Sequence, residues 1–226
     1  MKNLLRAGAL ALAALAHACI AEPAAAQHAS RSAAPAGFAP EQACMTWSGG
    51  APDSGTLVSC PVQVTIVQAS AFVRPATTTA YAANTLVATS ATAASVVPLS
   101  FPNACRYPGG GGSILGVRAS KTSTVLTNAA FRVHFSRNLP TFAVGDGGAM
   151  AGGVAGIAAM HVGKVDVTMD VQFSDGAKGS AQPDRGLLTF DCAANSTTLY
   201  AWVEARAAYV PTAGETFTVA AEISQN

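Results

Sequence analysis

Two histidines in the body of the chain, His134 and His161, are the first residues to weigh for chemistry; His17 and His28 lie near the N-terminus. A hydrolytic site needs a nucleophile, a base and an orienting acid gathered in space. No GxSxG stretch offers the nucleophile, and His134 is one polar position in the alternating run "FRVHFS". It reads as a residue on a solvated strand face. The carboxylates Asp166, Asp170 and Asp175 raise the question of a cation site. Asp166 and Asp170 stand four apart on one strand face, so roughly 13 Å separates their Cα atoms, too far to share an ion. Asp146-Gly147 and Asp175-Gly176 are turn dipeptides, and no EF-hand spacing occurs. The tetrad Gly109 to Gly112 lacks the frame of a phosphate-binding loop and precedes a strand. These residues predict no catalytic centre, no cofactor site and no metal site.

Cysteine chemistry is more informative. Cys44, Cys60, Cys105 and Cys192 follow Cys19, with no CxxC and no zinc-site spacing. Four cysteines allow three pairings. Cys44–Cys60 with Cys105–Cys192 is preferred, because the first pair is local and lies outside the main strand set. Four buried free thiols are the alternative. The third candidate is a surface. In "TLYAWVEARAAYVPTAGETFTVAAEI", Tyr200, Trp202, Glu204 and Arg206 occupy one strand face. Large aromatics and arginine are the residue types that interfaces favour. The expectation is a contact face, with cover by a loop of the same chain as the competing reading.

The elements that would position these residues alternate with period two, the mark of strands with one buried face. "VQVTIVQ" places Val62, Val64 and Ile66 together, and "SILGVRAS" places Leu115 and Val117 opposite Arg118. "FRVHFS" points Phe131, Val133 and Phe135 inward. In "KVDVTMDVQF", Val165, Val167, Met169, Val171 and Phe173 oppose Lys164, Asp166, Thr168, Asp170 and Gln172. "LVATS", "SVVPLSF" and "GLLTFDC" are further β-prone runs. The C-terminal stretch alternates twice around a turn at Pro211 to Gly214 and predicts an antiparallel hairpin. Asn195-Ser196-Thr197 fits a glycosylation sequon but reads as a turn. The glycine-rich run from Val144 to Met160 reads as a short helix or cover, or as a loop that orders against a neighbour. Together these predict an all-β chain: one antiparallel β-sandwich, jelly-roll-like, over 62–226.

Composition agrees. Only 11% of the 226 residues are charged, where about 25% is usual. Residues 1–26 have the layout of a signal peptide: Lys2 and Arg6, an apolar run, then Ala24-Ala25-Ala26. The apolar run is shorter than the roughly 20 residues of a membrane span. Losing Lys2, Arg6 and Glu22 with that segment takes the formal charge from +1 to zero. A neutral chain has no electrostatic footprint for nucleic acid or anionic lipid. Residues 27–61 read as a flexible, cysteine-containing lead-in. Export from Met1 predicts a secreted or periplasmic protein, whereas a start at Met45 removes the signal.

The stretches "FVRPATTTAYAANTLVA", "VVPLSF", "GGGGSILGVRASKTSTVLTNAAFRVHFSRNLPT", "VDVTMDVQFSDG" and "TLYAWVEARAAYVPTAGETFTVAAEI" resemble small virion structural proteins of tailed bacteriophages and prophages, from about Phe72 to Asn226. The resemblance implies a β-rich, non-enzymatic particle component, a head decoration or tail-associated protein. Its implied partners are copies of itself or phage capsid and tail proteins. A signal peptide and later cysteines depart from that pattern. They favour the alternative, a secreted or periplasmic disulfide-stapled binding module, with glycans as a candidate ligand stacked on Trp202 and Tyr200.

Overall fold

The computed structural model describes residues 64–226 and two short strands before them, β1 (Ala43–Met45) and β2 (Leu57–Ser59). Contacts divide the chain into a unit of residues 1–60 and a unit of residues 61–226. In the first, β1 and β2 pair antiparallel, with Cys44 opposite Val58. The signal segment, most of the lead-in and Cys60 lie outside the described residues, and so therefore does the Cys44–Cys60 pairing.

The second unit is all β, two antiparallel sheets packed face to face. One sheet runs β10 (His161–Thr168), β7 (Ala130–Ser136), β14 (Leu199–Ala205), β4 (Thr85–Val87), with β5 (Leu99–Phe101) beside β4 along β14. The other runs β11 (Val171–Phe173), β12 (Gly176–Ala181), β6 (Gly111–Lys121), β15 (Thr216–Gln225), β3 (Val64–Val73), with β13 (Leu188–Asp191) also on β6. A small hairpin of β8 (Thr141–Phe142) and β9 (Val154–Ala155) is paired into neither sheet.

Alternation builds the core as expected of half-buried strands. Phe131, Val133 and Phe135 of β7, with Leu199, Ala201 and Val203 of β14, meet Val117, Phe217, Val219 and Ile223 from the opposite sheet. Phe131 packs edge-on against Phe217, ring centres 5.1 Å apart. The chain crosses between sheets at Cys105 and again at Cys192, and a disulfide joins the two crossings.

Three expectations about strand geometry are corrected. The C-terminal stretch forms no hairpin. β14 lies in one sheet between β7 and β4, while β15 lies in the other between β6 and β3. The turn at Ala213-Gly214, with Gly214 at φ 63°, joins two layers. Secondly, the run from Lys164 to Phe173 is two strands. β10 ends at Thr168, Met169 is buried at the corner, and β11 joins the opposite sheet. Positions facing the core in one layer then face solvent in the other, so Val171 and Phe173 are exposed. Thirdly, β6 carries a bulge. Glu222 pairs with Gly116 and Ile223 with Ile114, which skips Leu115. The core residues of β6 are therefore Ile114, Val117 and Ala119.

Candidate functional site

The outward face of the β10–β7–β14–β4 sheet carries the titratable residues. Register sets them in rows. Asp166, Arg132 and Glu204 stand side by side across β10, β7 and β14, and Lys164, His134 and Trp202 form the next row. His161 comes before a bulge at Val162, where Gly163 adopts φ 155°. L side chains rarely adopt that conformation, so the bend depends on glycine. The bulge brings the His161 ring alongside His134, with Nε2 3.2 Å from His134 Nδ1.

These groups are spent on one another. His134 Nε2 lies 2.6 Å from Glu204 Oε2, and Arg206 donates to Glu204 Oε1 at 2.7 Å. Arg206 also hydrogen-bonds Asn84. Arg132 grips both oxygens of Asp166, at 2.5 and 2.7 Å. Burial holds the His134 ring below the ordinary histidine range, against the pull of Glu204. Burial, then Lys164, lowers His161 as well. Burial pushes the Glu204 carboxyl up, but the hydrogen bonds from His134 and Arg206 together outweigh it and leave it low. Arg132 lowers Asp166 chiefly through its hydrogen bonds. His134 is thus no solvated-face residue: its side chain is 15% exposed and both ring nitrogens have protein neighbours.

The predicted contact face is closed at Trp202 and Glu204 by the molecule itself. Trp202 is 4% exposed. Its ring stacks on His134 at 5.1 Å and nearly parallel, and Phe142 meets it edge-on at 6.4 Å. Val144, Met150, Val154 and Ile157 of the glycine-rich segment pack over the same cluster. That segment is a cover without a helix, laid on a sheet face. Glu204 is buried, while Tyr200 and Arg206 are half-buried. Trp202 Nε1 is buried without a hydrogen-bond partner. This is a destabilising feature that the stacking on His134 offsets. The expectation of an open aromatic face is corrected at Trp202, which is the seat of the chain's own cover, while Tyr200 is half-buried.

Two buried polar clusters escaped sequence reasoning. Asp146 accepts from Arg74 Nη2 at 2.9 Å, from the Tyr81 hydroxyl at 2.5 Å and from the Ala88 backbone N–H at 2.9 Å. Burial, reinforced by Asp146, pushes the Tyr81 hydroxyl far up. Lys121 Nζ donates to Ser123 O, Val125 O and the Tyr209 hydroxyl, and sits 3.4 Å from Glu215 Oε1. The Tyr209 hydroxyl donates to Glu215. Burial lowers the Lys121 ammonium while Glu215 opposes that shift. Tyr81 and Tyr209 stack at 6.4 Å, which joins the clusters. Both are saturated internally and brace the β3–β4 and β14–β15 connections.

Among the described residues no group of three or more His, Cys, Asp or Glu side chains is placed to hold a metal ion. The cysteine expectation is met in part, because Cys105 and Cys192 form a disulfide across a separation of 87 residues. No protein-family model matches the chain, and no curated protein matches it.

An exposed, mostly apolar strip lies along β3. Its outward positions are Thr65, Val67, Ala69, Ala71 and Val73, all exposed, with Val67 at 55% and Val73 at 56%. No ion pair or aromatic stack occupies that strip among the described residues. Sequence alternation in "VQVTIVQ" marks the strand but not its place at a sheet edge.

Proposed function

We propose that this protein is a non-enzymatic structural component of a phage or prophage particle, a head decoration or tail-associated protein, acting by self-association or by docking on the particle. The observation that carries the reading is the long uncharged strand β3 at a sheet edge, the kind of surface that adds another strand. The resemblance of the stretches from Phe72 onward supports it. So does the internal pairing of the polar groups on the opposite sheet, where His134, Glu204, Arg132 and Asp166 hold one another. The test is protein mass spectrometry of purified particles from a host carrying this coding sequence. Recovery of the chain in fixed proportion to the major capsid or tail protein is expected. Its absence from particles that are otherwise complete refutes the reading.

A second reading is favoured by the Cys105–Cys192 disulfide: a secreted or periplasmic binding module, since such bridges persist in oxidising surroundings. An N-terminus at Gln27 on the exported protein would support it. Glycan stacking on Trp202 finds no support, because the ring is covered. A disulfide also suits a particle that meets oxidising surroundings after release.

A further inference from the structure

β3 is ten residues long and pairs with β15 along its whole length. Among the described residues no strand pairs with its other side. Every second residue therefore directs its N–H and C=O away from the sheet. Such an edge is a template for another strand unless something blunts it. The other edges are blunted. β11 is three residues long, with Asp170 and Asp175 on its flanks, and β4 and β5 are also three residues each. β10 carries Lys164 and Asp166 on its outward face. β3, "VTIVQASAFV", has no charge, no proline and no glycine.

The core also stops short at β3. Ile66 and Phe72 point inward and pack on the main cluster, yet both are only partly buried. Phe72 stacks on Phe217 at 5.6 Å on the β15 side. β5 of the opposite sheet also lies against β3, with the Ser100 N–H donating to Ser70 Oγ. Among the described residues, no strand of Phe72's own sheet flanks its far side. A strand added about 4.8 Å away would cover both side chains.

We propose that the free edge of β3 pairs with β3 of a second copy of this chain, antiparallel about a two-fold axis. Identical uncharged strands meet without repulsion, and an antiparallel pair of identical strands closes as a symmetric dimer. Only registers that keep the two faces apart are allowed, since a one-residue slip turns every side chain over. The register with Ala69 on the axis sets Ile66 opposite the partner's Phe72 on the core face, an aromatic–β-branched pair. It sets Gln68 opposite the partner's Ser70, and Val67 opposite the partner's Ala71 on the outer face. This inference rests on the self-association reading above and names its surface.

The experiment uses the full chain. Sedimentation velocity over a dilution series should show a monomer–dimer equilibrium. Ala69 is exposed, so Ala69→Lys and Ala69→Glu should fold normally by circular dichroism. Each alone sets like charges face to face on the axis and should weaken the dimer by about tenfold or more. An equimolar mixture of the two should restore it. A wild type that stays monomeric at every concentration overturns the proposal, and so does a dimer indifferent to both substitutions. Amide exchange gives a further check. Protection of β3 that does not change on dilution of a monomer would mean that residues preceding Val64 occupy the edge, which also overturns it. A chain that is found in particles but monomeric in solution refutes the β3 dimer and leaves the particle reading standing. A dimeric chain missing from particles does the reverse.

Discussion

Replacing Lys121 by methionine keeps the volume of the side chain and removes its charge. The Lys121 and Glu215 side chains are both fully buried. The ammonium has three N–H groups, and three oxygens receive them: Ser123 O at 2.9 Å, Val125 O at 2.6 Å and the Tyr209 hydroxyl at 2.9 Å. Lys121→Met leaves two carbonyls without their donor and leaves the Glu215 carboxylate with the Tyr209 hydroxyl and the Thr212 backbone N–H alone. Breaking one partner of a buried pair costs about 3–5 kcal/mol. For a domain of this size each kcal/mol lowers Tm by about 2–4 °C, so the expected fall is about 6–20 °C. Glu215→Gln leaves the buried ammonium uncompensated and should cost a similar amount. The double variant removes both charges and should cost clearly less than the two singles added together. Urea unfolding with the disulfide intact measures all four states, and unchanged m-values show that the variants unfold the same structure. Single-variant losses below about 1 kcal/mol, or losses that simply add, would refute the reasoning.

Trp202→Ala should lower stability by about 3–5 kcal/mol through the cavity left under the cover, while leaving the oligomeric state unchanged. Calorimetry together with sedimentation checks both halves. Stability should also fall in mild acid. His134 and His161 are held below their ordinary value by burial, so between about pH 6.5 and their folded values the unfolded chain binds more protons. Tm is therefore expected to be level above about pH 7, to decline towards pH 5, and to lose that decline in a His134→Gln, His161→Gln variant. A second decline, as the pH falls through the low folded value of Asp166, should survive in that variant, because Arg132 and not a histidine holds that carboxyl low. A wild-type Tm that stays level to pH 5 contradicts the first part. Replacing Cys105 and Cys192 by serine should cost about 2–4 kcal/mol, read as a lower urea midpoint.

Strand-level structure was legible because alternation is a local signal. Phe131, Val133 and Phe135 declare their buried face within seven residues. Layer assignment was not legible, because period two continues unbroken when the chain changes sheet. Met169 and Asp170 look like two more positions of one strand, and the run from Leu199 to Ile223 looks like a hairpin. In both, parity is conserved while the inward side reverses or the pairing partner changes. The polar clusters were illegible for a different reason. Arg74 and Asp146 are 72 residues apart and make a pair only after folding. Asp146 does sit in a turn, and nothing in Asp146-Gly147 reveals that its carboxylate points inward. Alternation tells which side of the sheet His134 takes, but not that Trp202, His161 and Glu204 enclose its ring there.

The bond between Cys105 and Cys192 has a mechanical side. Chain between them is a closed ring, so pulling on the two ends cannot draw it out. The 87-residue separation withholds roughly 300 Å of contour length from any stretching force. It also holds every strand from β6 to β13 inside that ring, while β3, β4, β5, β14 and β15 lie outside it. Under tension the unlocked strands would peel first and the ringed ones would stay tethered together. The chain would therefore lengthen by a limited step and then hold.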